Sequence, residues 1–111
     1  MSDAVPNDGR RMKIAVPLFG DRVSPHFGAS SRILVIEALE GRMIHRGILH
    51  TGRGDGWQLA RHLAALEIDV LVCNGIQRKH KEWLRHRGIE VLDNRRGAAE
   101  DLVTAFIISG R

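Results

Sequence analysis

The stretch Met12 to Gly28, MKIAVPLFGDRVSPHFG, runs a short apolar strand into a loop that ends on Ser24, Pro25, His26, Phe27 and Gly28. Lys13 to Pro17 has the β-branched, apolar make-up of a buried strand, and Gly20 and Asp21 punctuate its exit. Pro25 biases Ser24 toward extended backbone, and Gly28 permits a turn or a close approach of a ligand to the main chain. His26 lies between these two constraints. An imidazole held there is able to ligate a metal, donate to an anion or titrate near neutral pH.

Moving outward, Ser31 to Leu39 and Met43 to His50 read as two more strands, with Glu40, Gly41 and Arg42 as the hairpin turn between them. After the glycine-rich Thr51 to Gly56, Leu59, Ala60, Leu63 and Leu66 recur at helical spacing, and Ile68 to Cys73 follows as a buried strand. Ile76, Trp83 and Leu84 mark a basic helix that stops at Gly88, Ile89 to Leu92 forms a short strand, and a last helix runs from about Gly97. The order βββαβαβα predicts an α/β, three-layer fold of the ribonuclease H-like kind: a mixed five-stranded sheet of spatial order 3-2-1-4-5 with three helices. The first eleven residues lack periodicity and read as a disordered leader, leaving 12–111 as a single domain.

Composition narrows the setting. The chain has 111 residues, enough to bury a core without disulfides, and Cys73 is its one cysteine, which excludes an intrachain disulfide and a thiolate-rich zinc site. No signal-peptide-like or membrane-spanning run occurs, so a cytoplasmic protein is expected. The net charge of +4 and the pI of about 10.2 favour an anionic partner. Dispersed basic residues and few aromatics argue against a single-strand stacking platform, while a small anion stays open.

In the expected topology, the segments Leu18 to Ser30, Thr51 to Gly56, Asn74 to Arg78 and Asp93 to Gly97 converge at the carboxyl edge of the sheet, where open α/β sheets bind ligands. They carry His26, Arg53, Arg78, Arg95 and Arg96, with His50, Cys73, Lys79 and His80 adjoining, and three helix N-termini point there. Glycines 52, 54, 56, 75 and 97 leave amides open, as anion-binding nests do. The geometry alone predicts a pocket for a compact anion with metal-ligand capacity. His45, His62 and His86 read as structural or surface residues, and His80 as semi-buried packing.

The residues Met12 to Val16, Val23-Ser24-Pro25-His26-Phe27-Gly28, Ile68 to Ile76 and Gly88 to Val91 resemble the dinitrogenase iron-molybdenum cofactor biosynthesis family over nearly the whole chain. That resemblance implies a ribonuclease H-like fold and a non-enzymatic carrier of an anionic metal-sulfur cluster, either iron-molybdenum cofactor or a precursor, serving nitrogen fixation and dealing with cofactor-assembly proteins. It also admits a molybdenum-copper sulfide cluster. His26, Ser24, Gly28, Arg53, Asn74, Gly75 and Arg78 are the expected cofactor contacts, with His26 and Cys73 as metal ligands, Cys73 at the end of a buried strand reading equally as a small core residue. The sequence departs from the family where Asn74-Gly75-Ile76-Gln77 replaces a common Gly-Gly-Ile-Gly. A nuclease or nucleic-acid binder on the same fold is the competing reading, weakened because Lys13 to Pro17 holds no carboxylate for a two-metal site. A third reading is a regulatory or interaction module that has kept the fold and lost the ligand.

Overall fold

A computed structural model describes residues 11–52 and 54–109. The expected leader, apart from Arg11, lies outside them. The strand predicted over Lys13 to Pro17 extends in both directions, as β1, Arg11–Phe19. Arg11 pairs with Leu39, so it belongs to the sheet and not to the leader.

The chain then makes a two-residue strand β2, Arg22–Val23, before β3, Arg32–Leu39, and β4, Arg42–His50. Glu40 and Gly41 turn the β3–β4 hairpin with φ of 53° and 79°, the positive pair that matches the twist of the flanking strands. Helix α1, Gly56–Ala65, leads to β5, Val70–Val72. Helix α2, Arg78–His86, leads to β6, Glu90–Leu92, and α3, Ala99–Ser109, closes the fold. Gly88, at φ 83°, supplies the left-handed residue that ends α2.

The five longer strands lie in the order β4-β3-β1-β5-β6, with β2 attached to β1. β1 is antiparallel to β3 and parallel to β5, and β5 is parallel to β6. The sheet is therefore mixed, and the carboxyl ends of β1, β4, β5 and β6 share one edge.

Period-two alternation divides the core between the two faces. Ile14, Val16, Leu34, Ile36, Val70 and Val72 face α3, where they meet Ala99, Val103 and Phe106. Ala15, Ile33, Leu71 and Cys73 face Leu59, Ala60 and Leu63 of α1 and Leu84 of α2. β1 and β5 are central and covered on both sides, which explains their unbroken apolar runs. β4 is an edge strand exposed along its whole length. It carries arginines at 42 and 46 and pairs with β3 through a register shift at Glu37/Ala38, both of which discourage edge-to-edge association.

Leu71 is fully enclosed at the centre of the α1–α2 face. Leu71→Ala is expected to lower the unfolding free energy by about 2–5 kcal/mol, as a lower midpoint in urea at unchanged slope.

Candidate functional site

The loop after β2 is held on three sides by main-chain hydrogen bonds. Ser24 N donates to Pro17 O at 2.8 Å, Phe27 N donates to Gly75 O at 2.8 Å, and Gly75 N donates to Pro25 O at 2.9 Å. The last two form a parallel bridge between His26 and Gly75, so the loops that leave β1–β2 and β5 are stitched together at the histidine. Ser24 is buried, and its Oγ donates to His26 O at 3.1 Å. A 3-10 turn over Phe27–Ala29 follows, with Phe27 driven into the core. His26, by contrast, is left exposed. The dipeptide Pro25-His26 thus combines a fixed main chain with a solvent-facing imidazole.

Against this loop packs the start of α1. A Cβ on Gly28 would stand 2.9 Å from Gly56 N and 3.0 Å from Gly56 Cα, so the two backbones touch where neither residue has a side chain. Asp55 caps α1 by accepting from Gln58 N at 2.9 Å. The result is a crevice of about 680 Å³ lined by residues 26–29, Asp55, Gly56, Gly75, Ile76, Gln77 and His80. It sits at the carboxyl edge of the sheet, between the loops after β2, β4 and β5. The first N–H groups of α1 and α2 have no intrahelical partners and lie at its rim.

Three of the residues expected from the sequence line this crevice: His26, Gly28 and Gly75. Ser24 lies behind His26 and positions it. Asn74 is outside the lining, its carbonyl accepting from Asn94 N at 3.1 Å. Arg78 is exposed in the first turn of α2 and is also outside the lining. Arg53 lies outside the described residues.

The segment from Asp93 to Gly97 does not open into the crevice either. Gly97 O accepts from Val23 N, Arg95 N donates to Cys73 O, and the N-terminus of α3 is used up when Ala99 N donates to Asp21 O. α3 packs on the opposite face of the sheet, which carries its start away from α1 and α2.

Cys73, open in the sequence between a ligand and a small core residue, lies in the core. It is completely enclosed among Phe27, Leu71 and Leu84 on the α1–α2 face. Burial, reinforced by the Asp93 carboxylate and opposed by Lys81, pushes its thiol pKa up to about 12. Cys73 is outside the crevice lining, and the structure places it in the core.

Sequence reasoning missed Gly56 and His80 as a pair. His80 is buried, 7% exposed, with its ring edge-on to Trp57 at 4.6 Å between centroids and tilted against Phe27 at 6.0 Å. Burial holds its pKa below the usual histidine value; Lys79 acts the same way and Asp55 opposes. The available signal was spacing: His80 and Leu84 lie four residues apart on the inner face of α2.

A second crevice, about 600 Å³, lies at the amino end of the sheet, lined by Arg11, Lys13, Asp69 and Arg87 among others. Its central charges are engaged: Lys13 Nζ donates to Leu66 O at 2.9 Å, and Asp69 accepts from Lys13 N at 2.8 Å.

The sequence profile of the dinitrogenase iron-molybdenum cofactor family matches residues 10–109. The chain belongs to this family. It is 26% identical over 101 residues to an uncharacterised protein of Methanocaldococcus jannaschii, covering 86% of each chain. Its fold is that of the crystal structure of PH0822, with a TM-score of 0.83 and 23% identity over 90% of this chain and 91% of that one. The apo form of the orange protein from Desulfovibrio gigas is similar at a TM-score of 0.71 and 21% identity, over 89% and 88% of the two chains. Family membership associates the chain with an iron-molybdenum cofactor.

Three glycines line the crevice. A Cβ at Gly75 would stand 2.9 Å from Pro25 O and 3.5 Å from His26 Nδ1, and one at Gly56 would run into His80. These glycines let the histidine loop and the His80 ring pack directly against main chain.

Two outcomes follow from this geometry. Cys73 is expected to resist iodoacetamide in the native protein at pH 8 and to alkylate fully in denaturant, as read by intact mass. Gly28→Ala is expected to cost about 1–3 kcal/mol in a urea titration, because its Cβ meets main chain that cannot rotate away.

Proposed function

We propose that the protein is a non-enzymatic carrier of an anionic metal-sulfur cluster, iron-molybdenum cofactor or a precursor, held in the crevice between the loops after β2, β4 and β5. The observation that carries this reading is the seating of His26: an exposed imidazole on a main chain locked to Gly75, beside a floor of glycines. The strand order β4-β3-β1-β5-β6 is the one expected of a ribonuclease H-like arrangement and supports that reading of the fold.

The chemistry of the lining favours cargo over tenure. Among the described residues no group of three or more His, Cys, Asp or Glu side chains converges to hold a metal ion. A metal seated there must bring most of its own ligands, as a sulfide cluster does. His26 supplies a nitrogen ligand, and helix N-termini and loop amides donate to the anionic sulfides. Among the described residues no Lys or Arg is part of the lining, so Arg78, Lys79, Arg95 and Arg96 act over a longer range, drawing the anion to this edge.

Such a site releases its ligand easily, as a carrier between cytoplasmic assembly proteins must. No helix among the described residues is long and apolar enough to cross a membrane.

Anaerobic reconstitution tests the proposal. Isolated iron-molybdenum cofactor, a precursor cluster or tetrathiomolybdate with copper is expected to co-elute with the protein and give it visible absorption with matching metal content. His26→Ala is expected to weaken retention about tenfold or more, the loss of one direct ligand being worth at least 1.4 kcal/mol. Absence of all three groups from the protein peak, or retention indifferent to His26→Ala, removes the carrier reading. Raised salt is expected to slow uptake by screening the arginines at this edge.

A further inference from the structure

We propose that the seam between α1 and α2 is a docking surface for a short, extended, carboxylate-rich segment of a partner protein, received by Trp57, Arg61, Lys79, Trp83 and Arg87. The docking rests on this surface alone; that the partner gives or takes the cargo rests on the carrier reading above.

Trp57 and Trp83 are the two tryptophans of the chain, and the fold brings them together from different helices. Both are half-buried, and their rings meet edge to face, 6.2 Å between centroids at 82°. A cation stands over each ring. Lys79 Nζ lies 5.9 Å from the centre of Trp57, and Arg87 Cζ lies 4.3 Å from that of Trp83. Lys79, Trp83 and Arg87 recur every fourth residue along one side of α2 and its C-terminal cap, and Arg61 follows Trp57 at the same spacing on α1.

Each of these five side chains donates hydrogen bonds and accepts none. Among the described residues none of the five has a side-chain hydrogen bond or a carboxylate partner within the chain, whereas Lys81 pairs with Asp93. Among the same residues no enclosed side-chain nitrogen lacks a partner, so the unpaired indole N–H groups reach solvent. The seam is thus a strip of unused donors, and its complement is a run of negatively charged acceptors. Arg87 adds geometry to charge, since a guanidinium held over an indole keeps its in-plane N–H fork for a carboxylate. Glu82 is the one acid of α2, against Arg78, Lys79, Lys81 and Arg85.

Lys79 and Arg87 stand roughly 12 Å apart along the helix axis, the span of about four extended residues. Single-stranded nucleic acid fits less well, because stacking bases need open ring faces and a cation already occupies one on each indole. The strip begins at the crevice: Trp57 follows Gly56 and its ring packs on His80, and both of those residues line it. A partner docked on the seam stands beside the crevice mouth.

The test uses the full chain free of cluster, a capped hexapeptide with four glutamates between terminal glycines as the probe, and the two indole N–H signals in proton-nitrogen NMR as the readout. Both indole signals are expected to move with one midpoint, and the matching glutamine peptide is expected to leave them in place. Lys79→Gln and Arg87→Gln are each expected to raise the midpoint about threefold, the effect of one exposed charge pair. Arg42→Gln removes the same charge from the edge strand β4 and is expected to leave the midpoint nearly unchanged. Native amide dispersion checks the fold of each variant, and the wild-type response to the two peptides decides the matter if one unfolds.

Silent indoles, an equal response to the glutamine peptide, or an Arg42→Gln effect as large as that of Arg87→Gln would overturn the proposal. An eight-nucleotide thymidine strand that moves the indoles at lower concentration than the peptide would overturn it in favour of nucleic acid. The two readings fail separately. Peptide binding without cluster uptake keeps the docking surface and removes the carrier; cluster uptake by a chain whose indoles ignore the peptide does the reverse.

Discussion

The bridge between His26 and Gly75 is the constraint on which the carboxyl edge depends. Its two hydrogen bonds, 2.8 Å and 2.9 Å long, join chain segments that leave different strands. Each contributes only about 1 kcal/mol net, yet leaving either main-chain group unpaired costs about 1–3 kcal/mol. Their geometric effect is larger than their energy. With Pro25 and Phe27 bonded to Gly75, Phe27 must enter the core and His26 must stay out, because successive side chains of extended backbone point opposite ways. Ser24 reinforces this arrangement by donating to His26 O. The histidine is therefore placed by main-chain pairing, with little demand on its own side chain.

Electrostatics divides into a near and a far part. The chain carries 17 basic against 13 acidic side chains, but among the described residues no Lys or Arg enters the crevice lining. The nearest carboxylate, Asp55, is occupied in capping α1, and Lys81 pairs with Asp93 at 3.1 Å behind the loop after β6. Close to the crevice, polarity comes from main-chain dipoles and imidazole rings. Farther away it comes from exposed cations that salt screens. Encounter and retention thus depend on different groups, and a site of this kind is able to attract an anion strongly while holding it moderately.

Much of the layout is legible in the residues. The mixed sheet and its three helices follow from the apolar runs of β1 and β5, the alternation in β3 and the fourfold spacing of Leu59 and Leu63. His26, Gly28 and Gly75 were readable as a cluster because Pro and Gly flank the histidine and glycine ends a buried strand. What could not be read depends on long-range contact. β2 is two residues long and exists through pairing with β1 and its bond to Gly97, neither of which leaves a local pattern. Cys73 follows a buried strand directly, and whether such a residue faces core or pocket depends on one more step of alternation, which here turns it under α1 and α2. Arg78 and Asn74 lie near the edge, but the sequence does not say which way the first turn of α2 faces.

His80 shows the same limit from the other side. Its spacing in α2 marks it as inner-facing, and an inner-facing histidine in isolation reads as packing. Only the meeting with Gly56, more than twenty residues away, separates a ring that fills space from a ring for which space has been cleared. Gly28, Gly56 and Gly75 then form a connected set: the first lets the histidine loop reach α1, the second admits His80, and the third accepts the His26 bridge. A methyl on any of them would add a tertiary conflict at the same crevice, and on Gly56 it would favour the helix locally while disturbing the site. Local propensity and site geometry conflict at that residue, and conflict of this kind is expected where a fold gives up stability for a binding surface.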